Sequence, residues 1–161
     1  MAVFARMGGA FAVIALMACG ATATKPGPPP LPTKPTLAVL PAESANFPAT
    51  AKLITEHLGR ARVRGFTEPT MSKVSLEVVQ LSIECVDPTP ACYEAVGRSL
   101  SATQLLFAQI EPGAQAEAVK VTISLFDVVE KQLKRQASRT FPTEDDVQYG
   151  IRDVVNEATE P

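Results

Sequence analysis

The sequence predicts one small α/β domain, built as two layers around a mixed sheet, in the order β-α-β-α-α-β-β-β-α. Three observations predict this class. An apolar run near residue 36 ends at a proline, as a short buried strand does. The middle of the chain repeats apolar residues at helical spacing. The last third alternates apolar and polar residues with the period of two that strands require.

The first elements are a strand, a helix and an edge strand. The apolar run 36–41 predicts the buried strand. Ser44 or Asn46 then caps a helix that has Pro48 in its first turn and ends at Gly59. Residues 61–66 alternate weakly and predict a second strand at the edge of the sheet. The predicted apolar face of the helix consists of Phe47, Ala51, Ile54 and Leu58.

Two helices are predicted in the middle of the chain. From Pro69 onward, a helical spacing predicts the first of them, and Cys92, Val96 and Leu100 line the second, which ends near 97–101. The residues that carry the first spacing are Met71, Val74, Val78 and Leu81.

The last third predicts three strands and a helix. Residues 103–110 are apolar on both faces, as in a central strand. The next strand directs Val119, Val121, Ile123 and Leu125 to one face. Residues 133–141 are rich in Arg and Lys, which suits an edge strand. Thr143 or Glu144 starts the closing helix, whose apolar face is Val147, Ile151, Val154 and Val155.

The amino terminus predicts export. Residues 1–18 have the layout of a secretory signal peptide, and the apolar run is too short to span a membrane. The segment Leu16–Cys19 resembles a bacterial lipobox, so we expect Cys19 to carry acyl chains such as palmitate. Several chains give stable anchoring where one does not. Gly20 favours the outer membrane, since inner-membrane lipoproteins often carry Asp there. A competing A-x-A site at 21–23 would remove Cys19.

Residues 19–35 form a tether between the lipidated cysteine and the domain, which we place at 36–158. The proline-rich part, about a dozen residues, favours extended polyproline geometry and would span about 30 to 40 Å. A ligand for a proline-recognition domain is the less favoured interpretation.

The composition argues against several classes of function. The net charge of −2 and the lack of a basic tract argue against a nucleic-acid partner. Phosphate-binding glycine loops are absent, and the acidic run 144–146 lacks the spacing of a calcium loop. His57 is the single histidine and has no recognisable nucleophile in its sequence context. We therefore assign no catalytic residue, no cofactor and no metal, and expect that the protein is not an enzyme.

Cys85 and Cys92 form a C-x6-C pair in an exported chain. The oxidising compartment favours a structural disulfide. Closing so short a loop is worth about 2.5 kcal/mol in the chain-entropy account. Redox-active thiols and a metal site are the alternatives, but the usual C-x-x-C spacing and further ligands are missing.

Four stretches of sequence stand out within the predicted order of elements: 37–41, the loop 85–92, 96–106 and 123–129. In these stretches and in that order, the chain resembles the TolB amino-terminal-like domains of bacterial envelope proteins, especially lipoproteins of myxobacteria and their relatives. The resemblance spans about residues 36–158 and implies a scaffold or assembly role at the periplasmic face of the outer membrane. The family offers no catalytic residue.

We therefore expect a non-enzymatic envelope lipoprotein that acts as a protein-interaction or assembly module in the periplasm. Its partners would be the membrane, through the anchor, and an unidentified envelope protein. The alternative is binding of a small ligand or an envelope polymer such as peptidoglycan. Arg60, Arg62 and Arg64, with the charged strand 131–139, are the candidate contact surface, although solvated edges would also carry such charges.

Overall fold

The computed structural model describes residues 29–66, 69–85 and 87–160. Five strands and four helices follow one another in the predicted order, β-α-β-α-α-β-β-β-α. Their bounds are β1 Leu37–Val39, α1 Pro48–Gly59, β2 Thr70–Met71, α2 Leu76–Ser82, α3 Pro90–Ser99, β3 Gln104–Pro112, β4 Val119–Asp127, β5 Gln132–Phe141 and α4 Val147–Thr159.

The strands form one mixed sheet with the spatial order β2-β1-β3-β4-β5. β1 lies between β2 and β3 and is parallel to both. β3, β4 and β5 form an antiparallel meander. The predictions of an α/β class, a mixed sheet, a central strand at β3 and a charged edge strand at β5 are confirmed.

Helices cover both faces of this sheet. Successive strand residues point to opposite faces, so Leu37 and Val39 join one cluster of buried side chains while Ala38 and Leu40 join the other. The first cluster contains the apolar faces of α1 and α4. The second contains residues of α2 and α3. The predicted two layers therefore gain a third where α2 and α3 lie over β1, β3 and the end of β4.

The predicted edge strand at 61–66 is wrong. Within this segment only Val63 is buried, and Gly65 has a φ of 91°, which turns the chain out of extended geometry. The N–H of Phe66 donates to the carbonyl of Val63 at 3.1 Å and closes that turn. The second strand is instead the short β2, which pairs with β1. A weak alternation with one buried residue did not identify a strand.

The apolar face predicted for the second helix is also wrong. Ser75 fixes the start of α2, because its side chain accepts a hydrogen bond from the N–H of Val78 at 3.4 Å. Leu76 and Val79 then face the core, whereas Val78 is 43% exposed and Leu81 is 66% exposed. Spacing counted from Met71 mixed strand, bend and helix, so its phase did not match that of α2.

The two long helices begin a few residues from their predicted caps. Phe47 is the N-cap of α1, and Ser44 instead accepts a hydrogen bond from the N–H of Phe47 at 3.2 Å. α4 begins at Val147, after Thr143 and Asp146 hydrogen-bond each other, with 2.8 Å between Thr143 Oγ1 and Asp146 Oδ2. The predicted buried face of α4 is confirmed, and so is that of α1 for Ala51, Ile54 and Leu58, whereas Phe47 precedes the helix and is only partly buried.

Candidate functional site

The candidate arginines lie at the end of the sheet where β1 and β3 begin. The N–H of Arg60 caps α1 by donating to the carbonyls of His57 and Leu58. Arg62 and Arg64 follow in the irregular segment, and all three arginines are exposed. Because this segment is not a strand, the three side chains are not aligned along a sheet edge. The structure divides them between two neighbouring hollows.

The first hollow is a groove of about 400 Å³ between the end of α1 and the last turns of α4. Arg60 and Arg62 contribute from one side and Arg152 from the other. Glu160 is the one carboxylate in the lining, so the groove carries an excess of positive charge. The full lining is His57, Arg60, Ala61, Arg62, Arg152, Val155, Asn156 and Glu160.

The second hollow, of about 280 Å³, brings Arg64 next to Lys134 and Arg135 of β5. Arg135 Nη1 donates to the backbone carbonyl of Glu160, which joins this hollow to the groove. We call the combined surface the basic end. It consists of Arg60, Arg62, Arg64, Lys134, Arg135 and Arg152.

The sequence did not identify Arg152 as part of this surface. It lies on the polar side of α4, far along the chain from α1, and only the packing of α4 beside α1 brings it to Arg60 and Arg62. The available signal was its position on the polar face of an amphipathic helix, opposite Val147, Ile151 and Val154.

Asp127 is a buried carboxylate that the sequence analysis did not single out. It is 6% exposed and ends β4. One oxygen accepts the N–H groups of Val129 and Glu130, both at 2.9 Å, and the other accepts from Gln104 at 3.1 Å and Lys134 at 2.9 Å. Burial alone would raise the pKa of Asp127, but these partners outweigh it and hold the pKa below its ordinary value. The group therefore fixes the β4–β5 turn as a carboxylate.

A second ion-pair cluster joins α3 to the same turn. Glu94 contacts Arg98 at 2.9 Å and Lys131 at 3.0 Å. Hydrogen bonds from Lys131 and then Arg98 lower the pKa of Glu94. Nearby, burial raises the pKa of Tyr93, with the charge of Glu77 adding to the effect. These contacts position α3 on the sheet, and none of them involves a residue of the basic end.

Cys85 and Cys92 form the disulfide that the sequence favoured, with Cα atoms 5.6 Å apart. That separation lies within the range of native bridges. Thr89 caps α3 by accepting a hydrogen bond from the N–H of Cys92 at 3.2 Å. The bridge therefore joins the chain that follows α2 to the first turn of α3.

β5 presents the long open edge of the sheet. One side of the strand pairs with β4 along Gln132–Phe141, and its other side has no strand partner among the described residues. Gln136 and Ser138 are exposed on it, as is Leu133 at 45%. Lys134, Arg135 and Arg139 make the edge positively charged.

Cys19 lies outside the described residues, as do the predicted signal peptide and the first part of the tether. Across residues 29–66, 69–85 and 87–160, no helix has the length and apolarity to cross a membrane. The same residues contain no cluster of His, Cys, Asp and Glu suited to a metal ion.

No family profile matches the sequence, and no curated protein matches it either. The structure is similar to the LpoB C-terminal domain from Salmonella enterica, with 14% identity and a TM-score of 0.45, over 66% of this chain and 82% of that one. It is also similar to PelC from Paraburkholderia phytofirmans, a dodecamer, with 16% identity and a TM-score of 0.43, over 85% of this chain and 96% of that one.

Proposed function

We propose that this chain is a non-enzymatic lipoprotein of the bacterial envelope, anchored in the outer membrane through Cys19 and facing the periplasm. Its domain acts as a protein-interaction or assembly module for an envelope protein. The signal-like residues 1–18, the lipobox-like segment that ends at Cys19 and the proline-rich tether support the anchor.

The open edge of β5 is the observation that carries the interaction role. Along the ten residues Gln132–Phe141, every second residue directs its backbone N–H and carbonyl to the side away from β4. A partner segment can add a strand to such an edge, with main-chain hydrogen bonds supplying affinity and side chains supplying specificity. Lys134, Arg135 and Arg139 both discourage unspecific edge pairing and favour a partner segment that carries acidic residues.

Site-directed photo-crosslinking in intact cells tests this role. A photoreactive amino acid is placed at Ser138 on β5, and the matched control carries it at Lys52 on α1, which is also exposed. We expect a discrete adduct with an envelope protein from the β5 position and none from Lys52. The same adducts from both positions, or no adduct from β5, would contradict an interaction through this edge.

The anchor is tested separately with Cys19→Ser. We expect this variant to lose incorporation of a labelled palmitate analogue and to move from the membrane fraction to the soluble fraction. The parent chain and a Thr22→Ser variant, which keeps the cysteine, should both remain in the membrane fraction. Continued membrane association of an unlabelled Cys19→Ser chain would show that no acyl anchor exists at this residue.

A second candidate function is binding of a small ligand or an envelope polymer such as peptidoglycan. The groove beside Arg60, Arg62 and Arg152 favours it, because converging guanidinium groups suit carboxylates and phosphates. Sedimentation with purified peptidoglycan tests this function. Loss of co-sedimentation in Arg62→Gln/Arg152→Gln would support it, and unchanged co-sedimentation would exclude the groove as the polymer site.

A further inference from the structure

Charged side chains are divided unevenly between the two ends of the domain. The chain has a net charge of −2, yet the basic end gathers five arginines and a lysine around the start of β1 and β3, with Glu130 and Glu160 as exposed carboxylates beside them. The opposite end carries Glu43 before α1, Glu111 and Glu117 around the β3–β4 turn, and Glu144 before α4, together with Lys52 and Lys120. An excess of one sign on one end orients a protein in an external field and attracts an oppositely charged surface.

Most charges of the basic end are free to act on a partner. Lys134 pairs with Asp127 at 2.9 Å, and Arg135 is held by the carbonyl of Glu160. The remaining side chains are exposed and form no ion pair with any residue that the structure describes: Arg60, Arg62, Arg64 and Arg152.

The tether joins the domain at this same end. Residues 32–35 line a hollow with Gln104 and Asp127, which are the first residue of β3 and the last of β4. Thr36 then binds Thr103 directly, with its N–H donating to Thr103 Oγ1 at 2.8 Å. The chain that comes from the membrane therefore enters at the basic end, and the acidic end lies across the domain from it.

We propose that the basic end docks on the surface of a bilayer that contains anionic phospholipids. This orientation rests on the proposed anchor at Cys19, whereas the attraction between arginines and lipid phosphates does not depend on it. At about 3.1 Å per residue in the extended geometry that the sequence predicts, a segment as long as 19–35 would allow the domain either to reach into the periplasm or to lie against the leaflet. Docking by the basic end places the domain against the leaflet.

Charge and geometry favour a lipid surface over an acidic protein segment at this site. Guanidinium groups bind phosphate oxygens in a bidentate manner, and Arg60, Arg62, Arg64 and Arg152 are exposed around the two hollows at one end of the domain, where one extended surface can meet several at once. Each basic side chain near an anionic leaflet strengthens binding by about fivefold. The attraction is weak alone and becomes effective beside a lipid anchor.

Vesicle flotation with the unacylated protein tests the proposal. The exported Cys19→Ser chain is purified, its amino terminus is read by mass spectrometry, and it is mixed with vesicles of phosphatidylglycerol and phosphatidylethanolamine or of phosphatidylcholine. We expect binding to the anionic vesicles only, weakening as salt rises to about 0.15 M because screening shortens the reach of the charges. Equal binding to phosphatidylcholine would overturn the proposal.

Two pairs of substitutions with equal loss of charge locate the surface. Arg62→Gln/Arg152→Gln should weaken vesicle binding on the order of 25-fold, from about fivefold for each arginine. Lys52→Gln/Lys120→Gln, at the opposite end, should change it less than about twofold. Equal effects of the two pairs would show that only net charge matters and would overturn docking by the basic end.

Competition with free ligands distinguishes a lipid surface from a site for phosphate or for an acidic peptide. Inorganic phosphate and an acidic peptide are each added to the vesicle-bound protein. Displacement that depends only on the ionic strength, and not on which ligand is added, supports a lipid surface. Saturable displacement by either ligand well below that ionic strength would overturn the proposal in favour of a phosphate or peptide site. The Cys19→Ser protein used in these experiments has no acyl chain. A negative result with vesicles therefore does not bear on the anchor at Cys19, which the fractionation of cells tests separately.

Discussion

Gly97 in α3 offers a sharp test of how the helix lies on the sheet. A Cβ at this position would lie much closer to Val128 Cγ2 than van der Waals contact allows, and only 2.8 Å from Val128 Cγ1. Val128 is fully buried at the end of β4, so its methyl groups have no free space to move into. Since unstrained carbon atoms approach to about 3.5 Å, either the valine or the helix must shift.

The magnitude follows from two opposed effects of Gly97→Ala. Overpacking of a filled core costs about 1–3 kcal/mol. Replacing glycine by alanine in a helix interior gains about 1 kcal/mol. Because both methyl groups of Val128 are too close, the cost lies in the upper part of its range, and we expect a net loss of about 1–2 kcal/mol in the free energy of unfolding.

The assay is a double-mutant cycle measured by urea denaturation with the disulfide intact. In a Val128→Ala background only the Cβ at 3.1 Å remains, so Gly97→Ala should there be neutral or stabilise by up to about 1 kcal/mol. The coupling energy is then about 2 kcal/mol. A coupling below about 0.5 kcal/mol, or stabilisation by Gly97→Ala alone, would refute this contact between α3 and β4.

Three further predictions concern stability. Asp127→Asn should lower the free energy of unfolding by about 1–3 kcal/mol at neutral pH. Because folding lowers the pKa of Asp127, the difference between the two proteins should persist above the ordinary pKa of 3.8 and vanish as the pH falls through the folded-state pKa, which urea titrations at several pH values would show. Reduction of Cys85–Cys92 should lower the free energy of unfolding by about 2.5 kcal/mol, and equal denaturation midpoints with and without reductant would contradict a stabilising bridge. Leu76→Ala should cost about 2–5 kcal/mol but Leu81→Ala less than about 0.5 kcal/mol, and the reverse ranking would restore the helical face first predicted from the sequence.

The elements that could be predicted from the sequence are those with long, regular patterns. β4 alternates over nine residues, and α4 repeats Ile151, Val154 and Val155 on one face. Each pattern is set by the burial of one apolar face along the whole element, so local spacing determines it. β2 has two residues and α2 has seven, and neither offers enough repeats to fix a phase.

The candidate site was predictable only in part, because it depends on tertiary contacts. Arg60 and Arg62 were identified from their charge. The edge strand predicted at 61–66 was wrong, because the turn at Gly65 decides the path of the segment. Arg152 joins them only when α4 packs beside α1. Asp127 was missed because its role comes from backbone N–H groups in the next turn and from Lys134.

The hydrogen bonds at the tether junction also determine how the domain bears mechanical load. Thr36 and Thr103 are joined by both backbone and side-chain bonds, and β1 directly afterwards lies between two parallel neighbours. A pull on the tether acts along β1, so its bonds to β2 and β3 are sheared together instead of opening one after another. If a partner holds β5, the force crosses the whole β1-β3-β4-β5 ladder. If the domain is anchored through Cys19 as proposed, this connection would let it stay folded under tension.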